Sequence, residues 1–334
     1  MKRSDKVLTY AVGFALGCVI LAMIPRDDPQ PKRHPWHEQT ALKGTYPMEV
    51  TDDSGRMVHF EKQPRHFISL APSITEILFA MDMGDHLMAV TRFCSYPEEA
   101  AALRDAGAQV GNLDKPNQPM IAEYRPDLII GTEMTPVEVY ASLENPPGTV
   151  ALSLKHEGME DILDDIRTIG KVTGVPGKAL KLAHELDSER QAVKAMLEAY
   201  RDQPRKRVLF LLSIDPDGAP GWSPGQGSWV DDILTEARAV NVAASLGDGW
   251  GQIKLEDLGK LDPDVILLRD SSTQTGQAQL RERVANLPNQ PVWRDLRAVR
   301  SGKIHILPNG PLNVPGPRIM QAYRSVAEAV WIEE

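Results

Sequence analysis

Residues 67–80 read FISLAPSITEILFA, and the change of character inside them decides the fold class. Residues 67–70 form a largely apolar run, as expected of a strand buried on both faces. Ser73 follows with a hydroxyl able to cap a helix, and Glu76 three residues later completes a capping box. The same unit recurs at residues 87–90, where Ser95 and Glu98 form a second capping box that opens a helix through Arg104. Residues 121–131 run helix, Arg-Pro-Asp, strand, and residues 258–268 run helix, Asp-Pro-Asp, strand. Strands alternating with helices predict parallel sheets flanked by helices.

Working outward, residues 48–50 and 57–60 are short strand-like runs separated by TDDSGR, whose turn formers suit a hairpin. Residues 159–200 are strongly helical, with Ile162, Ile166 and Ile169 on one face and a break at Gly174, Pro176 and Gly177. Residues 207–212 open a second α/β segment, and residues 315–332 close it as a terminal helix. A chain of 334 residues exceeds what one core usually supports. The expected organisation is therefore an α/β lobe with a leading hairpin at 46–156, a helical bridge at 157–204 and a second α/β lobe at 205–334. The fold class is two Rossmann-like lobes with parallel sheets joined by a long rigid α-helix.

Residues 7–24 are 18 uncharged, mostly apolar residues behind Lys2, Arg3 and Lys6, close to the length that spans a bilayer as helix. The run ends at Pro25 without an Ala-x-Ala-like cleavage site, so residues 1–25 read as an uncleaved transmembrane anchor. Lipidation at Cys18 is the alternative. Residues 26–45 carry prolines and mixed charges without periodicity and read as a spacer. The three leading basic residues place the folded part outside the cytoplasmic membrane, in the periplasm.

Composition narrows the function. The chain is 42% apolar and 25% charged, and its net charge of −9 comes with scattered basic residues, which argues against nucleic acid. Cys94 stands alone in the soluble part, and no His/Cys cluster has zinc spacing, so neither a resident metal nor a cofactor is expected.

TDDSGR (51–56), SLAPSITEILFA (69–80), SYPEE (95–99) and PRIMQA (317–322) together resemble the periplasmic cobalamin and ferric-siderophore binding proteins of ABC importers. The resemblance implies a monomeric receptor that holds a metal chelate or corrinoid in a cleft between the lobes and delivers it to a permease. Phe93 after the second strand, Trp222 in a Gly/Pro-rich loop after residues 207–212 and Trp250 in the loop before Leu255 fall where that family lines its cleft, and flat rings suit a large planar or greasy ligand. Either they meet the ligand or each packs its own lobe. Arg92 and Arg269 stand at strand ends, where open α/β sheets place ligand groups, and could hold an anionic ligand or form surface ion pairs. Permease docking in the family uses one exposed glutamate per lobe. Glu256 matches the second-lobe position, whereas Pro119 stands at the first, leaving Glu123 as substitute. That departure keeps open a membrane-tethered sensor without a transport role.

GWSPG (221–225) matches the hydrolase pattern G-x-S-x-G around Ser223. The residue after the serine must donate an N–H to the oxyanion, and Pro224 has none. The chain therefore reads as a binding protein, with ferric chelates and corrinoids ahead of haem.

Overall fold

The computed structural model describes residues 45–332, apart from 145–147 and 248. Its first elements are a hairpin, β1 (Met48–Thr51) and β2 (Met57–Phe60), paired antiparallel. The TDDSGR turn holds its shape through Asp52, whose carboxylate accepts from Ser54 N, Ser54 Oγ and Arg56 N at 2.7–3.1 Å and from the Arg56 guanidinium. Arg56 also donates to Ala151 O at 2.7 Å, pinning the turn to the sheet behind it. Gly55, at φ +82°, takes the left-handed step that a side chain would strain.

The first α/β half comprises β3 (Phe67–Ser69), α1 (Pro72–Ala80), β4 (Leu87–Ala89), α2 (Glu98–Asp105), α3 (Gln118–Tyr124), β5 (Leu128–Thr132), α4 (Val137–Leu143) and β6 (Val150–Leu154). Its four strands are parallel in the order β4-β3-β5-β6. Both expected capping boxes fail. Helix α1 starts earlier, with Ala71 as N-cap and Pro72 at its first position, so Ser73 lies inside it. Helix α2 starts at Glu98 behind Pro97, with no side-chain cap. At α1 proline's fixed φ suits the first helical position and sets the start in place of the serine, whereas at α2 Pro97 is itself the N-cap.

The bridge region is not one helix. Helix α5 (Met159–Val172) and the 22-residue α6 (Pro176–Leu197) are separated by a turn at Gly174, φ +78°, and pack against each other. Helix α6 spans about 33 Å at 1.5 Å per residue.

The second half comprises β7 (Lys206–Leu211), β8 (Trp222–Pro224), α7 (Trp229–Glu236), β9 (Ala239–Asn241), β10 (Trp250–Gln252), α8 (Leu258–Leu261), β11 (Val265–Arg269), α9 (Gln274–Asn286), α10 (Arg297–Arg300), β12 (Ile304–Leu307), α11 (Asn309–Asn313) and α12 (Ile319–Trp331). Its main sheet is parallel in the order β12-β11-β7-β9. Strands β8 and β10 pair antiparallel as a separate ribbon.

Side chains alternate through both sheets as the two-residue strand period requires. Leu128, Ile130, Val208 and Phe210 enter one continuous core that also takes Ile162, Ile166 and Ile169 of α5 and Tyr323, Val326 and Val330 of α12. Ile129 faces a second cluster on the first half, and Leu209 and Leu211 face a third on the second half. Among the described residues no helix is long and apolar enough to cross a membrane. The expected anchor at 7–24, with Cys18, and the spacer to residue 44 lie outside the described residues.

Candidate functional site

The C-terminal ends of parallel strands are where open α/β sheets expose side chains to a ligand. Strand β4 ends in a turn in which Cys94 N donates to Thr91 O at 3.2 Å. Thr91 and Cys94 point inward and are fully buried, with Cys94 Sγ within 3.2–3.3 Å of the Thr75 and Thr91 hydroxyls. The two residues between them are thereby forced outward. Arg92 and Phe93 are both exposed, Phe93 at 47%, and the Arg92 guanidinium lies 4.8 Å from the Phe93 ring centroid. Strand β5 is followed in the same manner by Met134, 58% exposed.

On the second half, β7 leads into a loop closed by Leu212 N donating to Trp222 O at 2.8 Å and Gly221 N donating to Ser213 O at 2.9 Å. This return carries Trp222 back beside the end of β7. Trp222 therefore lies on a strand rather than in the expected loop, with its ring 50% exposed. Trp250 lies on β10, paired across from Pro224, and it is half-buried with its ring 5.4 Å from that of Trp229. The ribbon thus joins the two tryptophan segments, yet only Trp222 presents an open face.

Arg269 ends β11, inside the described edge. It donates to Asn313 Oδ1 at 2.7 Å, while its Nε is buried without a hydrogen-bond partner. Burial pulls its pKa below the usual arginine range. Neither Arg92 nor Arg269 forms an ion pair with a carboxylate among the described residues, so the surface-pair reading does not hold for either. A half-buried guanidinium left without an anion is costly to maintain, and an anion brought by a ligand would relieve that cost.

Ser223 is no nucleophile. Its side chain is 1% exposed and its Oγ donates to Phe210 O at 2.7 Å, anchoring the ribbon to β7. Behind the ribbon a cavity of about 100 Å³ is lined by Ser223, Ala243, Trp250 and Ile253, too small for a chelate. A larger cavity of about 390 Å³ lies at the opposite edge, where Lys206, Asp264 and Lys303 precede or begin their strands. It has no aromatic wall, and its Arg297 is already bonded to Asp262 and Asp264.

Two features escaped the sequence reading. Tyr96 is 48% exposed and stacks under Arg318, whose guanidinium carbon is 4.0 Å from the ring centroid. Arg318 in turn grips Glu76 of α1 with two bonds, Nε to Oε2 at 2.9 Å and Nη2 to Oε1 at 2.5 Å. Burial raises the Glu76 carboxyl above its ordinary range, and Arg318 acts against that rise. Glu76 sits in the SLAPSITEILFA motif and Arg318 in PRIMQA, but no spacing rule joins residues 242 apart. The docking candidates Glu256 and Glu123 are exposed, as is Pro119. Glu256 stands in the short turn Leu255–Asp257 and Glu123 on α3.

A titratable pair lies beneath the first half. His156, just past β6, places Nδ1 3.1 Å from Asp165 Oδ2 of α5, with side chains only 2% and 4% exposed. Burial pushes Asp165 up to about 9, helped by Asp53, Asp161, Glu133 and Asp164, and burial pushes His156 down to about 4. Burial thus favours the neutral form of each.

Two parallel α/β halves presenting open aromatic rings and unpaired cations, with the candidate serine sealed away, define a ligand receptor. The chain belongs to the periplasmic binding protein family, whose model matches residues 68–311. It is 24% identical over 289 residues, 86% of each chain, to an uncharacterised ABC transporter substrate-binding lipoprotein, YvrC, of Bacillus subtilis. It is 28% identical over 265 residues to a vitamin B12-binding protein of Vibrio cholerae, covering 78% of this chain and 86% of that one. The fold is similar to that of the periplasmic heme-binding protein RhuT from Roseiflexus sp. RS-1, with TM-score 0.67 at 25% identity over 80% of this chain and 98% of that one.

Proposed function

We propose that this chain is the extracytoplasmic binding component of an ABC importer, and that its ligand is a ferric chelate, corrinoid or haem with an anionic edge. The observation that carries this reading is Arg269, a half-buried guanidinium without an anion at the same strand edge as the exposed Trp222. Rings gain affinity by apolar contact at little entropic cost, and the cation orients the ligand. Phe93 and Arg92 act likewise from the first half, and Trp250 supports the ribbon. The metal arrives inside the cargo, with no resident cofactor. Delivery to a permease runs through Glu256 and Glu123, with residues 7–24, or a lipid on Cys18, holding the monomer at the membrane.

Pro119, exposed where the resemblance calls for a docking glutamate, favours a second reading: a tethered sensor without transport. The test is to purify the full chain, record its visible spectrum, and titrate cyanocobalamin, haemin and a ferric hydroxamate against tryptophan fluorescence. Saturable quenching by one of them is expected. Failure of all three overturns the ligand class, and binding without uptake in cells leaves the sensor.

A further inference from the structure

The Glu76–Arg318 pair crosses between the halves. Glu76 belongs to α1, directly behind β3 of the first sheet, and Arg318 caps α12, which packs on the second. The carboxylate side chain is 2% exposed and the guanidinium 17%, with both carboxylate oxygens engaged. Backbone contact reinforces the crossing, because a Cβ added at Gly316 would meet Ser73 Cα at 3.4 Å and Ser73 O at 3.5 Å.

The other end of α12 is tied to the bridge. There the Trp331 ring lies 5.2 Å from Tyr200, which follows α6, while its Nε1 donates to Ala237 O within the second half at 2.7 Å. At 1.5 Å per residue, Arg318 stands about 20 Å along the helix axis from Trp331. A hinge held at one end swings freely, whereas a second tie 20 Å away removes that rotation unless the tie breaks. Because Arg318 also carries the exposed Tyr96 ring, the tie sits at the strand edge that meets the ligand rather than in the core.

We propose that Glu76 and Arg318 form a strut that fixes the spacing of the two sheet edges in the unliganded protein and so limits the thickness of ligand admitted. The selectivity half of this rests on the binding function proposed above; the spacing half does not. Both are positioning residues, acting through the geometry of the rings they hold apart.

The test labels the full chain, carrying Cys18→Ser, with nitroxides at Glu138→Cys and Lys254→Cys, two exposed positions on opposite halves, while buried Cys94 stays unlabelled. The distance distribution by pulsed electron resonance is compared among wild type, Glu76→Gln, Arg318→Met and the double variant. The wild type is expected to give one narrow distribution, and each single variant a broader and longer one, with the double variant no worse than either single. Arg318→Lys, which retains the charge, should stay near wild type, and it decides the matter should a neutral variant fail to fold by near-ultraviolet circular dichroism. Unchanged distributions, or single-variant effects that simply add, overturn the strut. Cyanocobalamin and haemin are then titrated into the same proteins. Whichever binds wild type should leave the single variants about tenfold faster, and the preference between the two should shift toward the thicker corrinoid. If neither binds wild type the ligand reading fails, and the ligand-free distances still decide the strut.

Discussion

The buried His156–Asp165 pair gives this protein a pH dependence with a definite sign. Asp165 titrates near 9 in the folded chain and near 3.8 unfolded, so over that interval the folded state holds a proton that the unfolded state releases. Stability contributed by this group therefore falls as pH rises. His156 works the other way: it titrates near 4 folded and 6.5 unfolded, so between those values the unfolded state holds the extra proton and stability rises with pH. The two slopes oppose each other between about 4 and 6.5, leaving a plateau. Above 6.5 only Asp165 remains, and at 1.36 kcal/mol per unit over roughly 2.5 units the loss reaches about 3 kcal/mol by pH 9. Urea unfolding at half-unit steps from pH 5.5 to 9 measures it. Asp165→Asn keeps the shape, removes the titration and should flatten the limb above 6.5, whatever its effect on absolute stability. A wild-type curve parallel to that of Asp165→Asn above pH 6.5 would refute the argument, because the carboxyl would then be ionised in the native protein.

The tryptophans should separate. Trp222→Ala is expected to weaken chelate binding by about 1–3 kcal/mol with an unchanged melting temperature. Trp250→Ala, which empties a contact with Trp229, should lower unfolding free energy by about 2 kcal/mol in urea titration. Arg269→Met should reduce affinity for an anionic chelate at least about tenfold while leaving stability equal or higher, because it removes a half-buried charge with no anion. Calorimetric titration of wild type and variant checks this, and equal affinity would assign Arg269 to Asn313 alone. Glu256→Arg should abolish ligand uptake by cells with affinity intact, and deleting residues 1–25 should lower uptake sharply, since tethering raises the effective concentration at the permease. Uptake indifferent to both favours the sensor.

The fold was legible where local chemistry and burial agree. Parallel strands covered on both faces become apolar runs, and so β3, β5, β7 and β11 stood out beside the turn formers of TDDSGR. Helix starts were misread at Ser73 and Ser95 because a proline, Pro72 at the first helical position and Pro97 at the N-cap, stands where the helix begins and overrides the capping pattern. The site was legible only in pieces. Phe93 could be placed after a strand and Trp222 in the loop that follows one, but the sheet-like pairing of residues 222–224 with 250–252 runs through glycine-rich sequence with no alternating pattern, so nothing local shows that Trp250 turns back onto Trp229. The Glu76–Arg318 contact joins opposite ends of the chain, and the capping role assigned to Glu76 concealed it.

Helix α12 has a bearing on how the molecule comes apart. Its buried face, from Ile319 to Trp331, lies in the core shared by both halves. Detaching it would uncover apolar surface on α6 and α7, so neither half can shed the helix without loosening the other. Unfolding is therefore expected as one cooperative transition rather than half by half.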